Sequence, residues 1–205
     1  MKKLPEEIEY IVGIDEVGRG PLAGPVTLGF AIMSVKNLAF LSGDITDSKL
    51  LTPKKREALN GEMNRLKKKG LIDLFTKSQT ALFVDKNGIS QAIKSCIKEG
   101  FNVIGERYNK KYCHILLDGG LFAPEGYSQE TIIKGDQKEP LIGAASIFAK
   151  VYRDKYMKDL DKSFPLYEFG KHKGYGTKVH RRAVAEYGFC AEHRKSFCKN
   201  IILLK

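Results

Sequence analysis

The chain has 205 residues, 42% of them hydrophobic and 29% charged, a length and balance suited to one globular domain with a sizeable core. No apolar stretch approaches the length of a bilayer span, which excludes a helical membrane protein. The net charge of +11 points to a polyanionic partner such as a phosphate backbone, with a merely solubilising surface as the plainer alternative.

At the amino terminus a basic start is followed by Pro5, Glu6 and Glu7, not by the apolar run of a secretory signal, so a cytoplasmic location is expected. Cys96, Cys113, Cys190 and Cys198 form no CxxC pair and read as reduced thiols. Cys190, His193 and Cys198 lie close enough to raise a zinc knuckle, but no fourth ligand is evident.

In chain order, residues 10–14 form an apolar run ending in Asp15 and Glu16, and residues 25–33 form a second run broken only by Gly29. Thr52-Pro53 offers an N-cap and a first-turn proline for a helix carrying Leu59, Met63 and Leu66 and closed by Gly70. A strand is predicted over 71–80, then a helix over 87–108 with Ile89, Ile93, Ile97 and Ile104 on one face. Strands over 114–117 and 130–134 end at Asp118-Gly119-Gly120 and Gly135-Asp136. Helices follow over 140–160 and 178–187. The intermingling predicts an α/β domain with a central sheet, antiparallel where the first two strands succeed each other. Without repeats or linkers, residues 1–205 read as one domain, with about 177–205 as a helical carboxyl-terminal appendage.

Three predicted strands each deliver acid at the carboxyl end: Asp15 with Glu16, Asp118, and Asp136. Adjacent strand ends form the ligand crevice of α/β sheets. Clustered carboxylates repel and resist desolvation, a cost that a divalent cation relieves, and hard oxygen donors select Mg²⁺ or Mn²⁺. The chemistry expected is two-metal phosphodiester hydrolysis, with Asp15, Glu16, Asp118 and Asp136 holding two ions while metal-bound water attacks phosphorus in line. The competing reading makes each acid a solvated turn residue, and spacing alone leaves it open.

Directly after the first acids, Gly18-Arg19-Gly20 lets backbone approach a ligand while the guanidinium reaches a phosphate. Gly18, Gly20 and Ala23 also fit a loose dinucleotide fingerprint, which is rejected because a pyrophosphate would face Asp15 and Glu16, and Pro21, Gly24 and Pro25 spoil the required helix. Ser146, Lys150 and Arg153 share one helix face, suited equally to a nucleic-acid backbone or to solvent. Lys49, in Asp47-Ser48-Lys49, has a weaker claim of the same kind. Tyr175, between two glycines and flanked by lysines, suits stacking on a nucleotide, against the alternative of a turn tyrosine over the core edge.

Taken in order, these segments resemble the bacterial ribonucleases HII. The resemblance rests on residues 13–26, Asp47-Ser48-Lys49, residues 116–119, 133–136 and 144–154, Gly174-Tyr175-Gly176-Thr177 and residues 193–197. It implies an RNase H-like fold, a mixed sheet flanked by helices with a helical carboxyl-terminal region. It also implies hydrolysis on the 5′ side of a ribonucleotide, leaving 3′-hydroxyl and 5′-phosphate ends. Asp15, Glu16 and Asp118 would be metal ligands, Asp136 the fourth acid, Gly18, Arg19 and Gly20 the readers of the ribose, and Tyr175 the ring stacking on the deoxyribose that follows. Arg19 and the short leader argue against the sister ribonucleases HIII. Around residues 187–192 the proline-containing segment of the family pattern is missing.

The partners so implied are RNA–DNA hybrids and DNA duplexes containing ribonucleotides, cut by a monomer with Mg²⁺ or Mn²⁺. No clamp-binding motif stands in residues 200–205. The competing functions are a catalytically idle nucleic-acid-binding module and a nuclease of the same fold acting on all-DNA substrates.

Overall fold

The computed structural model describes residues 5–41, 45 and 51–201. Five strands form one mixed sheet: β1 (Tyr10–Val17), β2 (Val26–Ser34), β3 (Asp73–Gln79), β4 (Cys113–Asp118) and β5 (Ser128–Ile132). Their spatial order is β3-β2-β1-β4-β5, with antiparallel pairing from β1 through β3 and parallel pairing across β1, β4 and β5. The antiparallel start expected from two successive strands is present.

The central strands read as continuous apolar runs because both sheet faces are covered. Alternation divides β1 between two cores: Val12 and Ile14 pack with Ile93, Ile97 and Phe101, whereas Ile11 packs with Leu59, Met63, Leu141 and Ala145. The first set belongs to α3 (Ile89–Arg107), and the second to α1 (Pro53–Lys68) and the long α5 (Pro140–Ser163). Thr52 caps α1 by accepting a hydrogen bond from the Lys55 amide at 3.3 Å, with Pro53 in the first turn as the sequence indicated.

Two elements differ from expectation. The single helix expected over 87–108 begins at Ile89, because Gly88, at φ 82°, separates it from the short α2 (Ala81–Asn87). Thr80, read as the end of a strand, is the N-cap of α2, accepting from the Phe83 amide at 3.1 Å. The fifth strand lies two residues earlier than expected and is a largely exposed edge, not an apolar run. Lys134 then adopts a left-handed conformation, φ 56°, and starts α4 (Gly135–Lys138). Asp136 therefore sits in the first turn of a short helix and not at a strand end.

Glycine sets how closely α5 approaches the sheet. A Cβ on Gly13 would collide with the Leu141 carbonyl, and one on Gly29 with that of Ala145. Beyond α5, the short α6 (Phe169–His172) and α7 (Lys178–Tyr187) pack around Met157, Tyr167, Phe169 and Val184. Ala23, in the β1–β2 connection, belongs to the same cluster, so the end of the chain closes onto its beginning. No helix among the described residues is long and apolar enough to cross a membrane.

Candidate active site

Strands β1 and β4 run parallel with Ile14 beside Leu117, so Asp15 and Asp118, the next residue of each, stand side by side. Asp15 shares the face of Ile11 and Gly13, which α5 covers, and is 2% exposed. Burial, above all, pushes its carboxyl up to about 8; Glu16 and Asp118 push the same way, while hydrogen bonds from Ser146 and the Glu16 amide oppose them. Glu16 is also raised, first by burial and then by Asp118, against the Arg19 guanidinium 3.4 Å away. Asp118 accepts a 2.6 Å hydrogen bond from the Gly135 amide. The residue after Gly135, Asp136, is buried.

These donors are all hard carboxylate oxygens, which suits Mg²⁺ or Mn²⁺ and not a thiolate-loving metal. Among the described residues, no three His, Cys, Asp or Glu side chains form a group that could hold a metal ion. A Mg²⁺ ion commonly keeps waters and takes part of its shell from substrate phosphate. Burial raises Asp15 and Glu16 first and the charge of Asp118 adds to it, and a bound cation would work against both.

Beside the acids lies a cleft of about 230 Å³ lined by Glu16, Val17, Gly18, Arg19, Gly20, Ser146, Lys150 and Tyr175. One surface thus gathers residues from three separate stretches of sequence. Tyr175 is 44% exposed and lines this cleft. Lys150 reaches the cleft while paired with Asp154 at 2.6 Å.

The expected stripe of Ser146, Lys150 and Arg153 is broken at its end. Arg153 is completely buried and donates to the carbonyls of Pro25 (2.9 Å), Lys173 (2.9 Å) and Ala23 (3.1 Å). Residue 153, about 20° short of two full turns from Ser146, keeps nearly the same face, and that end of the face is covered by the β1–β2 connection holding Ala23 and Pro25. Lys49, with Asp47 and Ser48, lies outside the described residues. Cys190 Sγ is 3.1 Å from His193 Nδ1, but no metal-holding group including Cys198 occurs among the described residues.

Sequence reasoning missed a second buried arginine. Arg194 donates to the carbonyls of Gly18 (2.8 Å), Arg19 (3.1 Å) and Gly24 (3.0 and 2.7 Å). Burial, and then the neighbouring Arg153, bring its guanidinium down to about 9. With the carbonyls of Gly18 and Arg19 turned inward, the N–H groups of Arg19 and Gly20 across the same trans peptides face the opposite way. Gly18 is required here: its φ is 86°, and a Cβ would strike the Arg153 side chain. Composition gives no signal for such inward arginines, because an isolated Arg normally predicts surface.

Comparison with known proteins places this chain in a family. The model of the family described as Ribonuclease HII matches residues 12–200. The chain is 41% identical over 203 residues to ribonuclease HII of Caldicellulosiruptor bescii, covering 99% of this chain and 93% of that one. Among solved structures it is similar to ribonuclease H2 of Pyrococcus horikoshii, with a TM-score of 0.72, 25% identity and coverage of 94% and 96%. A Bst-RNase HIII structure in complex with Mn²⁺ shares the fold, with a TM-score of 0.63 at 16% identity, over 86% of this chain and 61% of that one. The RNase H-like architecture implied by the sequence is the architecture found. On the extent of these matches, the chain belongs to the ribonuclease HII family of metal-dependent hydrolases.

Proposed function

We propose that the protein is an endonuclease that hydrolyses the RNA strand of RNA–DNA hybrids and cuts on the 5′ side of single ribonucleotides embedded in duplex DNA, leaving 3′-hydroxyl and 5′-phosphate ends. The observation that carries this reading is the single cleft in which Glu16, the Gly18-Arg19-Gly20 backbone, Lys150 and Tyr175 meet. A carboxylate for chemistry, backbone donors for a sugar hydroxyl and an exposed ring for stacking stand there on one surface.

In this reading Asp15, Glu16 and Asp118 hold divalent cations, with Asp136 as the fourth acid. The Ser146 hydroxyl orients Asp15. Two ions, Mg²⁺ or Mn²⁺, bound together with substrate supply the charge neutralisation that in-line displacement at phosphorus requires. The amides of Arg19 and Gly20 read the ribose 2′-hydroxyl, the feature that separates RNA from DNA. Arg19 and Lys150 meet flanking phosphates, and Tyr175 stacks on the deoxyribose that follows. The Mn²⁺ bound by the structurally similar Bst-RNase HIII supports the choice of metal.

The deciding experiment is incubation of a duplex carrying one ribonucleotide with Mg²⁺ or Mn²⁺, with and without chelator. Scission 5′ of the ribonucleotide, abolished by chelator, is expected. Binding without scission would establish an idle module, and equal cutting of an all-DNA control would remove ribose recognition.

A further inference from the structure

Two buried side chains adjacent in sequence, His193 and Arg194, reach in different directions. Arg194 holds the carbonyls of Gly18, Arg19 and Gly24, while His193 leads toward Tyr175 through His180. Hydrogen-bond directions fix the proton positions along that path. The Cys190 amide donates to His193 Nδ1 at 3.0 Å, so the His193 proton is on Nε2. His193 Nε2 therefore donates to His180 Nε2 at 3.1 Å, which leaves the His180 proton on Nδ1. His180 Nδ1 donates it to the Tyr175 carbonyl at 3.0 Å. At its other side the Tyr175 amide donates to the His172 carbonyl at 3.0 Å, and the His172 ring stacks on His180 at 4.3 Å between centroids.

Backbone bonds complete the brace. The Arg194 amide donates to the Leu22 carbonyl at 2.8 Å, the Gly24 amide to that of Glu192 at 2.9 Å, and the Leu22 amide to that of Gly174 at 2.9 Å. Ala23 and His193 form an antiparallel bridge. Residues 192–194 are thereby fastened to both loops that line the cleft.

We propose that His193 and Arg194 are positioning residues that together set the spacing between the Gly18-Arg19-Gly20 loop and Tyr175, and so fix the preference for a ribonucleotide followed by a deoxyribonucleotide. This rests on the roles given above to the loop and to Tyr175. Neither residue touches substrate. Arg194 aims the ribose-reading amides, His193 and His180 hold the stacking ring at a fixed distance from them, and a junction is read as one unit because both supports spring from one segment. A continuous hybrid, which offers no deoxyribose at the second position, depends on the first support alone.

The test compares two amide substitutions at one position. His193→Gln places an N–H where Nε2–H stood and keeps the link to His180; His193→Asn places its amide at the Nδ1 position and breaks the link. kcat and KM are measured on a duplex with one ribonucleotide and on a uniform RNA–DNA hybrid, with Tyr175→Ala in parallel. The expected result for His193→Asn is a loss of about tenfold in the ratio of single-ribonucleotide to hybrid cleavage, the worth of one buried hydrogen bond. His193→Gln should stay within about threefold of the parent ratio. Equal ratios for the two variants, whether both normal or both reduced, would overturn the proposal when Tyr175→Ala moves the ratio. If Tyr175→Ala leaves the ratio unchanged, the stacking role fails and the spacer falls with it. Should His193→Asn not fold, His180→Phe, which breaks both the His193 and the Tyr175 links, is read in its place against His193→Gln.

Discussion

Replacing Arg194 by methionine removes a buried cation and keeps most of its length. Three carbonyls, those of Gly18, Arg19 and Gly24, lose four hydrogen bonds of 2.7–3.1 Å. At about 1–3 kcal/mol for each buried acceptor left unmade, the gross loss is about 3–9 kcal/mol. Relief of the desolvation cost of a guanidinium with no carboxylate partner returns several kcal/mol of that. A net destabilisation of about 2–4 kcal/mol remains, a large share of the roughly 5–15 kcal/mol that holds a domain together. Because the same carbonyls aim the Arg19 and Gly20 amides, turnover should fall by about a hundredfold. Urea unfolding with chelator present gives the first quantity, and steady-state cleavage of a single-ribonucleotide duplex gives the second. Arg194→Lys keeps the charge without the planar fork, so it should recover part of the stability and little of the activity. Stability within about 0.5 kcal/mol of the parent and unchanged turnover in Arg194→Met would refute the reasoning.

Asp118→Asn should lose cleavage on the order of a thousandfold with duplex affinity nearly kept, since the new amide oxygen can still accept from Gly135; near-normal turnover would remove Asp118 from the metal-binding set. Gly13→Ala should destabilise by about 1–3 kcal/mol in thermal unfolding by pushing α5 off the sheet, and a neutral result would mean the helix moves at no cost. His180 and His193 are held down to about 4 by burial, below the ordinary 6.5, so the unfolded chain takes up their protons first on acidification. Their contribution is fully present above pH 6.5 and is lost as pH falls through about 4, at up to about 1.4 kcal/mol per unit for each. Asp15, raised to about 8, works in the opposite sense, so the parent is best compared with His180→Asn/His193→Gln, where that carboxyl cancels. Urea midpoints should fall more steeply with acid in the parent, and parallel curves would contradict the neutral pair.

The strands were legible because their burial is regular. Apolar runs marked β1, β2 and β4, and Asp15, Glu16 and Asp118 lie within the carboxyl ends of β1 and β4. Asp136 is expected at a strand end but lies in the first turn of α4, since β5 is an exposed edge whose SQETI sequence carries no apolar run and Lys134 turns the chain in a conformation few lysines adopt. Thr80 shows a similar limit: a β-former by propensity, it serves as a cap. Arg153 and Arg194 are the deeper failure. Their partners are backbone carbonyls, all but that of Lys173 from the other end of the chain, and no pattern in side-chain type announces a carbonyl turned inward. The segment around residues 187–192 departs from the family pattern, yet His193 and Arg194 still occupy a fully bonded position.

Arg194 and Gly18 are joined across 176 positions of sequence. In a chain made from its amino terminus, the loop proposed to recognise ribose is synthesised long before the side chain that shapes it. A nascent chain lacking residue 194 can possess every carboxylate and still lack the support proposed for that loop. Selectivity, on this proposal, waits for residue 194 to emerge and fold back.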